Sequence, residues 1–288
     1  MSAAAVVLVG GVVIGSFYAL VGLGFGLLHG IGETNLGYGD GMVLSAFVAA
    51  GVTTASGQPL PGLAAGLISG IVLALATERL ALRPLLRSPS AAIVATTGLA
   101  LVWRNASQLL SSNSDASVGS SLQAARLAVG GVPVDAATII AIFLLAVALA
   151  AVILVPRRTG WGRRARAVGD DRLGAALSGV AVERTIRPLH VASGAIGAVT
   201  GLLLVAHLGV LSINIGWQVT LVGFVAATVG GRRGPEAAAI GGLALGVLQT
   251  AVQVWVGSIW AGIASLAVLA LVLVARPTGL LRVEGARP

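Results

Sequence analysis

The chain is organised around its longest polar stretch, PRRTGWGRRARAVGDDRLGAALSGVAVERTIR, which covers residues 156–187. This stretch holds eight of the eighteen basic residues, and all eighteen are Arg. Apolar runs of about 20 residues, the length that a helix needs to cross the hydrocarbon core of a bilayer, lie on both sides of it. We therefore predict that residues 156–187 form a loop between two membrane spans, and we call them the Arg-rich loop.

The composition of the chain excludes most classes of soluble protein. Of its 288 residues, 57% are hydrophobic and 10% are charged, and the mean hydropathy is +0.98, whereas a soluble domain carries about 25% charged residues. The absence of cysteine excludes disulfides and thiolate metal sites. The three His lack metal-ligand spacing, and the Arg residues are divided among apolar runs rather than gathered into a patch that binds nucleic acid. An integral membrane protein is the class that remains.

The apolar runs predict an all-α polytopic fold that forms a single transmembrane domain over residues 1–288. Two of the runs are short, the second and the seventh, so either could be re-entrant or broken and the count is eight or nine. The N-terminus has no basic region before its apolar run and is predicted to be the first span rather than a cleaved signal. The predicted spans are 3–28, 42–53, 63–76, 91–110, 136–155, 188–211, 216–230, 237–254 and 259–275.

The distribution of Arg predicts the orientation, because loops that hold Lys or Arg stay on the cytoplasmic side. Sixteen of the eighteen Arg lie in 77–90, the Arg-rich loop, 230–236 and 276–288, which are therefore placed inside. With nine spans, the N-terminus is then outside and the C-terminus is cytoplasmic. Residues 111–135, polar and rich in turn-forming residues, become an external loop.

An internal repeat is one interpretation of two similar segments. FVAA occurs at 47–50 and again at 224–227, and each copy precedes a Pro that opens an Ala/Gly-rich span, at offsets of 177 and 174 residues. In the predicted topology the two copies run in opposite directions, which is the inverted repeat common in transporters. Chance is the alternative, because Ala and Gly dominate the composition.

The Arg-rich loop itself contains the pattern of a short amphipathic helix after Trp161. Gly160, Gly169 and Gly179 would separate this helix from its neighbours. We expect one apolar face, formed by Val168, Leu173, Ala176 and Leu177. Two interpretations stay open: an interfacial helix that fixes the topology, and a docking helix for a cytoplasmic partner.

Several motifs of the chain resemble a known family. Residues 162–180, GRRARAVGDDRLGAALSGV, resemble the cytoplasmic loop of ABC-importer permeases, in which a Gly, a basic Ala-rich turn, an Asp and an A-x-x-x-G pattern form the coupling helix. GSFYALVGLGFGLLHGIGETNLGYGDGMVLSAFVAA (15–50), FVAATVGG (224–231) and RPTGLL (276–281) resemble motifs of the high-affinity branched-chain amino acid permease family. The similarity is closer to the shorter of that system's two permease types, which carries an Asn-x-x-x-Gly-acid signature after the first span.

The chain departs from that family's pattern at two places. Leu36 and Tyr38 stand where the family usually has an aromatic residue and a His, and this difference leaves the substrate open. Arg232 and Arg233 interrupt a turn that usually continues with Gly and Ser, and this difference bears on the contact with the cytoplasmic partner.

The resemblance implies a permease subunit of a prokaryotic cytoplasmic membrane, which works with other proteins. These partners are a second homologous permease, two cytoplasmic ATP-binding subunits and an extracytoplasmic binding protein. No ATPase site, and so no cofactor, is expected in this chain. Branched-chain amino acids are the implied substrate, with urea, short amides or other amino acids as alternatives. The implied coupling helix comprises Gly162, Arg163, Arg164, Arg166, Asp170, Asp171, Arg172 and Gly179.

A second candidate site lies in the polar segment 29–41 and in the fourth span. Asn35 is either an N-cap of the second span or, with Tyr38 and Asp40, part of an unwound segment that lines the translocation pathway. Glu33 and Asp40 are expensive in lipid and should face water, a partner helix or the lumen. Arg104, the one charge well inside a span, either reaches outward, pairs with Asp115 or meets a carboxylate substrate.

Two rival classes are less well supported by the residues. A stand-alone secondary transporter or channel would need an ionisable relay at mid-membrane, and only Arg104 lies firmly within a span. An intramembrane enzyme would need paired catalytic side chains at matching depth, and the sequence offers no convincing set.

Overall fold

The computed structural model describes residues 3–85, 88–111, 116–117, 126–129, 132–230 and 234–275. Arg87, Asp115, Arg232, Arg233 and the tail 276–288, with its RPTGLL motif, lie outside the described residues. A π-helical turn, Glu78–Leu82, extends the third helix. The α-helices of the described residues are α1 Ala3–His29, α2 Tyr38–Ser56, α3 Pro59–Thr77, α4 Pro89–Leu110, α5 Ala136–Arg158, α6 Gly160–Asp170, α7 Arg172–Leu177, α8 Val182–Leu208, α9 Ile215–Gly230, α10 Pro235–Trp255 and α11 Ser258–Ala275.

The helical architecture fits a polytopic membrane protein. Ile215–Gly230 is apolar but shorter than a full span. The count of eight or nine spans and their orientation stay predictions. Five helices in the described part of the chain are long and apolar enough to cross a membrane: Ala3–His29, Pro59–Leu82, Ala136–Arg158, Val182–Leu208 and Pro235–Trp255.

Two predicted boundaries at proline are wrong. The fifth span was expected to end before Pro156, but α5 continues through it to Arg158. The sixth span was expected to begin at Pro188, but α8 begins at Val182. Packed neighbours make an internal proline tolerable in helices of this kind, so proline here marks no helix end. The loop between the two long helices is correspondingly shorter than the predicted 156–187.

Helices α1 and α10 pack with their backbones in direct contact, because glycine lines both of them. A Cβ atom at Gly11 would lie 2.8 Å from the Cα of Val247, and one at Gly15 would lie 3.0 Å from the carbonyl oxygen of Leu243. A Cβ at Gly246 would collide with the backbone of Gly15. Small residues permit such close approach between apolar helices, and the result is a tight antiparallel pair at the centre of the bundle.

Helix α8 packs against α1 in the opposite direction. The rings of Phe17 and His207 have centroids 5.0 Å apart, and the Ser193 hydroxyl donates a hydrogen bond of 2.8 Å to the carbonyl of Gly24. A later residue on α1 therefore meets an earlier one on α8. Both helices contain 27 residues.

The order of helices after α1 recurs after α8. Helix α2 begins at Tyr38 and α9 at Ile215, and this offset of 177 residues equals the offset between the two FVAA segments. Helices α3 and α10 both carry Pro in their first turn. The packing recurs as well, since α1 contacts α9 and α10 while α8 contacts α2 and α3. The segments α1–α3 and α8–α10 thus share element order, approximate lengths and contacts.

Helices α2 and α9 meet at their N-termini inside the bundle. The backbone N–H of Gly39 donates to the Thr220 hydroxyl at 2.9 Å, and a Cβ at Gly39 would collide with the carbonyl of Gly216. Tyr38 lies against Gly24, well before the end of α1. After α1 the chain therefore turns back into the bundle along residues 30–37, the 30–37 segment, before α2 begins.

The predicted external loop contains short strands rather than turns alone. β1 Ala116–Ser117 pairs antiparallel with β4 Val210–Leu211, which follows α8, and β2 Arg126–Val129 pairs with β3 Val132–Asp135. Asp135 caps α5 by accepting from the Thr138 N–H at 2.9 Å, and its other oxygen lies 2.7 Å from Nδ1 of His207. These contacts attach the loop to the end of α8.

The α1–α10 contact can be tested by adding volume to it. Gly246→Val is expected to lower the free energy of unfolding by about 3 kcal/mol, since overpacking a core costs about 1–3 kcal/mol and the obstacle here is backbone. Gly98→Val is the matched control, because nothing lies within 4 Å of a Cβ at Gly98. The Tm of both variants is measured as the loss of monodisperse protein on heating in detergent. An unchanged Tm for Gly246→Val would contradict the close contact.

Candidate functional site

The Arg-rich loop forms two short helices with separate caps. The Thr159 side chain accepts from the Gly162 N–H at 3.1 Å at the start of α6, and Asp171 accepts from the Leu173 N–H at 3.0 Å at the start of α7. Asp171, in extended conformation, therefore separates the helices. The predicted break at Gly169 is wrong. Gly169 stays helical, and its missing side chain lets the carbonyl of Gly30 approach to 3.0 Å of its Cβ position.

An apolar cluster attaches these helices to the bundle. Val168 of α6 and Ala175 of α7 are buried against residues at the end of α1, in the 30–37 segment and on α8. The indole N–H of Trp161 adds a hydrogen bond of 3.1 Å to the carbonyl of Thr185 on α8. The α6 and α7 helices are therefore packed onto the end of α1 and the start of α8. The buried members from those other elements are Leu27, Leu28, Ile31, Ile186 and Leu189.

The predicted apolar face of the loop is wrong in part. Val168 is buried as expected, but Leu173 is 71% exposed and Leu177 82% exposed. Ala176 is exposed as well. The break at Asp171 rotates α7 relative to one continuous helix, so Ala175 takes the inward position. Two leucines one turn apart consequently point away from the protein.

The eight residues of the predicted coupling helix are two glycines, one inward-pointing Arg and five exposed charged residues. Gly162 is buried, and a Cβ there would collide with the backbone of Pro156. Gly179 occupies the left-handed region, with φ +83°, at the turn after α7. Arg172 points inward. The other five, which are exposed, are Arg163, Arg164, Arg166, Asp170 and Asp171.

Arg172 makes the connection between the loop and the bundle that the sequence did not predict. Its guanidinium donates to the carboxylate of Glu33 at 2.6 Å. The other Glu33 oxygen lies 3.0 Å from Nε2 of His190 on α8. Glu33 is only 5% exposed. Burial alone would raise the pKa of the Glu33 carboxyl, but His190 and Arg172 outweigh burial and hold the pKa below its ordinary value.

Side chains of Asn35, Thr96 and Thr220 hold the end of the 30–37 segment and the first turn of α2. Asn35 accepts from the Gly37 N–H at 2.9 Å, and the Leu36 N–H donates to the Thr96 hydroxyl of α4 at 3.3 Å. Gly37, not Asn35, occupies the N-cap position of α2 and makes no side-chain cap. Thr220 of α9 supplies an acceptor for the first turn of α2 instead, a role for which its place in the sequence gives no signal.

Two of the pathway candidates, Asp40 and Arg104, form an ion pair at the start of α2. The Arg104 Nε lies 3.1 Å from the Asp40 carboxylate, which is 2% exposed. The Arg104 side chain is 27% exposed. Asp40 thus supplies the partner of Arg104 in the described residues, and Asn35, Tyr38 and Asp40 are all buried in this conformation.

Two cavities lie beside these residues. A cavity of about 20 Å³, enough for one water molecule, has the Tyr38 and Trp103 side chains in its lining. The Tyr38 hydroxyl and the Trp103 indole N–H have no hydrogen-bond partner in the described part of the protein. A cavity of about 660 Å³ lies beneath α6, between the end of α1, α5, α8 and the start of α10. Within the described ranges, no group of three His, Asp or Glu side chains could hold a metal ion.

Comparison with known proteins gives matches over almost the full chain. Residues 7–275 match the family described as "Branched-chain amino acid transport system / permease component". The chain is 31% identical over 287 residues, 94% of its length and 93% of the relative's, to the high-affinity branched-chain amino acid transport system permease protein LivH of Salmonella typhimurium. It is 27% identical to the corresponding permease protein BraD of Pseudomonas aeruginosa, covering 95% of this chain and 94% of that one. No solved structure matches the chain significantly.

The Asp40–Arg104 pair predicts an asymmetry between two substitutions. Arg104→Gln leaves a buried carboxylate without its cation and is expected to cost about 3 kcal/mol of folding free energy. Asp40→Asn should cost less than half of that, because the partly exposed Arg104 can turn toward solvent. Thermal unfolding of the purified variants in detergent measures both costs. Equal costs, or a larger cost for Asp40→Asn, would contradict the pairing.

Proposed function

Since the chain belongs to the family of branched-chain amino acid transport system permease components, we propose that it is the transmembrane permease subunit of an ABC importer in a prokaryotic cytoplasmic membrane. The observation that carries this proposal is the match over residues 7–275. The proposed substrates are branched-chain amino acids, and energy comes from separate ATPase subunits. Its proposed partners are a second homologous permease, two ATP-binding subunits and an extracytoplasmic binding protein.

The proposed topology places the Arg-rich loop in the cytoplasm, with the N-terminus outside and the C-terminus inside. The exposed Arg residues of α6 support this orientation, because Lys and Arg are retained on the cytoplasmic side. The antiparallel α1 and α8, each followed by a helix that begins inside the bundle, support an inverted repeat of α1–α3 and α8–α10. Transporters commonly place their substrate sites at the interface of two such repeats, where helices begin inside the membrane.

The docking surface for an ATPase subunit is proposed to be the exposed face of α6 and α7. Leu173 and Leu177 lie one turn apart on this face and are both strongly exposed. Five further exposed side chains of this loop are charged: Arg163, Arg164, Arg166, Asp170 and Asp171. Exposed apolar side chains together with a polar and charged periphery are typical of a specific protein contact.

The translocation pathway is proposed to pass the start of α2, beside Asn35, Tyr38, Asp40 and Arg104. These side chains are mostly buried, so the present conformation is closed at this point. A switch to an open conformation requires that ATP binding favours it by differential contacts. Few charges lie along the helices, which suits a small and partly apolar solute. The binding protein would then set most of the selectivity.

Transport of the proposed substrate can be measured directly. The complete complex, reconstituted in proteoliposomes with its binding protein, is expected to take up radiolabelled leucine only with ATP. Competition by isoleucine and valine, but not by urea or short amides, would support the branched-chain class. ATP-dependent uptake of urea without uptake of leucine would support the alternative substrate class. Leucine uptake driven by a proton or sodium gradient without ATPase subunits would support a secondary transporter.

The docking surface predicts the effect of two leucine substitutions. Leu173→Ser with Leu177→Ser should weaken binding of the ATPase subunit about tenfold or more, because burying a leucine contributes about 1.5–3 kcal/mol. Co-purification of the ATPase subunit with the permease measures the effect. Leu60→Ser, at a 75% exposed leucine in the first turn of α3, is the control on the opposite side.

The exposed charged residues of this loop offer a separate test of coupling. Asp170→Ala, or deletion of Arg163–Arg166, is expected to uncouple ATP hydrolysis from uptake while the protein still inserts into the membrane. Gly162 is a poorer target, because a side chain there collides with Pro156 and disturbs the α5–α6 turn itself. Normal uptake in vesicles by the Asp170 and deletion variants would remove the coupling assignment.

A further inference from the structure

We propose that Glu33, Arg172 and His190 form a relay that carries movement of the Arg-rich loop to the start of α2. The three side chains belong to different elements: the 30–37 segment, α7 and α8. Glu33 contacts Arg172 at 2.6 Å and His190 at 3.0 Å. The inference rests on the proposed function, since it assigns positioning residues to that transport reaction.

The outer end of the relay lies on the docking helix. Arg172 is the first residue of α7, directly before Leu173 on the exposed face. Its own side chain points the other way, so one helical turn joins the surface offered to the ATPase and the buried carboxylate. A displacement of α7 must therefore either carry Glu33 with it or break the ion pair.

The inner end of the relay lies on the segment that leads to the pathway residues. Glu33 is two residues before Asn35 and five before Tyr38, where α2 begins. The segment between Glu33 and α2 is short and has little conformational freedom, because Asn35 is hydrogen-bonded to Gly37 and Leu36 to Thr96. Movement of Glu33 is therefore transmitted to the first turn of α2 rather than absorbed by a loop.

Burial of Glu33 makes its pairing with Arg172 necessary. A carboxylate taken out of water is costly unless it is paired and hydrogen-bonded. Glu33 is 5% exposed and His190 is fully buried. Separating Arg172 from Glu33 leaves that charge with only the His190 contact, so the bundle favours arrangements in which Glu33 follows Arg172. An exposed ion pair, such as Arg83 with Glu183 at 2.7 Å, exerts no comparable constraint.

The cavity beneath α6 provides the space for this movement. Its lining includes Trp161, Ala165 and Gly169 on α6 and Ala192 and Ile196 on α8. Val168 and Trp161 hold α6 to α1 and α8, Arg172 ties α7 to Glu33, and the cavity leaves open space beside Ala165 and Gly169. A docking force on α6 and α7 thus meets open space at the cavity and a buried ion pair at the relay.

The relay is tested by the ratio of solute transported to ATP hydrolysed, measured in one sample of the complete reconstituted complex. Glu33→Gln should lower this ratio about tenfold, within the usual range of coupling between sites. Glu33→Met with Arg172→Met should lower it as much, and this pair guards against misfolding because apolar replacement of a buried ion pair is often neutral for stability. Arg172→Lys keeps the positive charge, so this variant should retain at least half of the wild-type ratio.

The matched control is Glu183→Gln, which removes an ion pair at an exposed site, with side-chain exposure of 39% for Arg83 and 52% for Glu183. Its ratio should equal that of the wild type. A variant that is merely less stable loses transport and ATP hydrolysis together and leaves the ratio unchanged. Wild-type ratios in Glu33→Gln and in the double Met variant would overturn the relay alone. Absence of ATP-driven uptake in the wild-type complex would overturn the proposed function and the relay with it.

Discussion

The buried carboxylate of Glu33 is the interaction on which the connection between loop and bundle depends. An ionised carboxylate in this position would destabilise the fold by several kcal/mol without a partner. Arg172 from α7 and His190 from α8 supply positive or polar groups at 2.6 and 3.0 Å. The Arg-rich loop is therefore tied to the bundle, and the 30–37 segment is held in the position from which α2 begins inside the bundle.

Glycine gives the bundle the geometry that makes this position useful. Contact between the backbones of α1 and α10 leaves no room for side chains between them, so the two helices form a rigid centre. Around it, α2 and α9 begin opposite each other, and Gly39 and Gly216 permit their N-termini to meet. Polar residues such as Asp40 and Arg104 are concentrated at this junction. A movement of either helix start would therefore change the surroundings of Asp40 and Arg104 directly.

The sequence predicted the membrane class, the family, the Arg-rich loop and the polar segment before α2, because each depends on composition or on a local motif. It also predicted that Glu33 and Asp40 avoid lipid and face water, a partner helix or the lumen. It could not predict that these partners are Arg172 and Arg104, 139 and 64 residues away, since long-range pairs depend on packing. The prediction that Leu173 faces inward failed for a local reason. Asp171 caps α7 and breaks the helix, so Ala175 takes the inward position.

Helix α7 is proposed to contact an ATPase subunit from the cytoplasm. The absence of cysteine in this chain makes a direct test practical. Leu177→Cys, labelled with a photoreactive maleimide in the assembled complex, is predicted to form a covalent adduct with the ATPase subunit, while Leu60→Cys labelled in the same way forms none. No adduct from position 177, or equal adducts from both positions, would contradict the account.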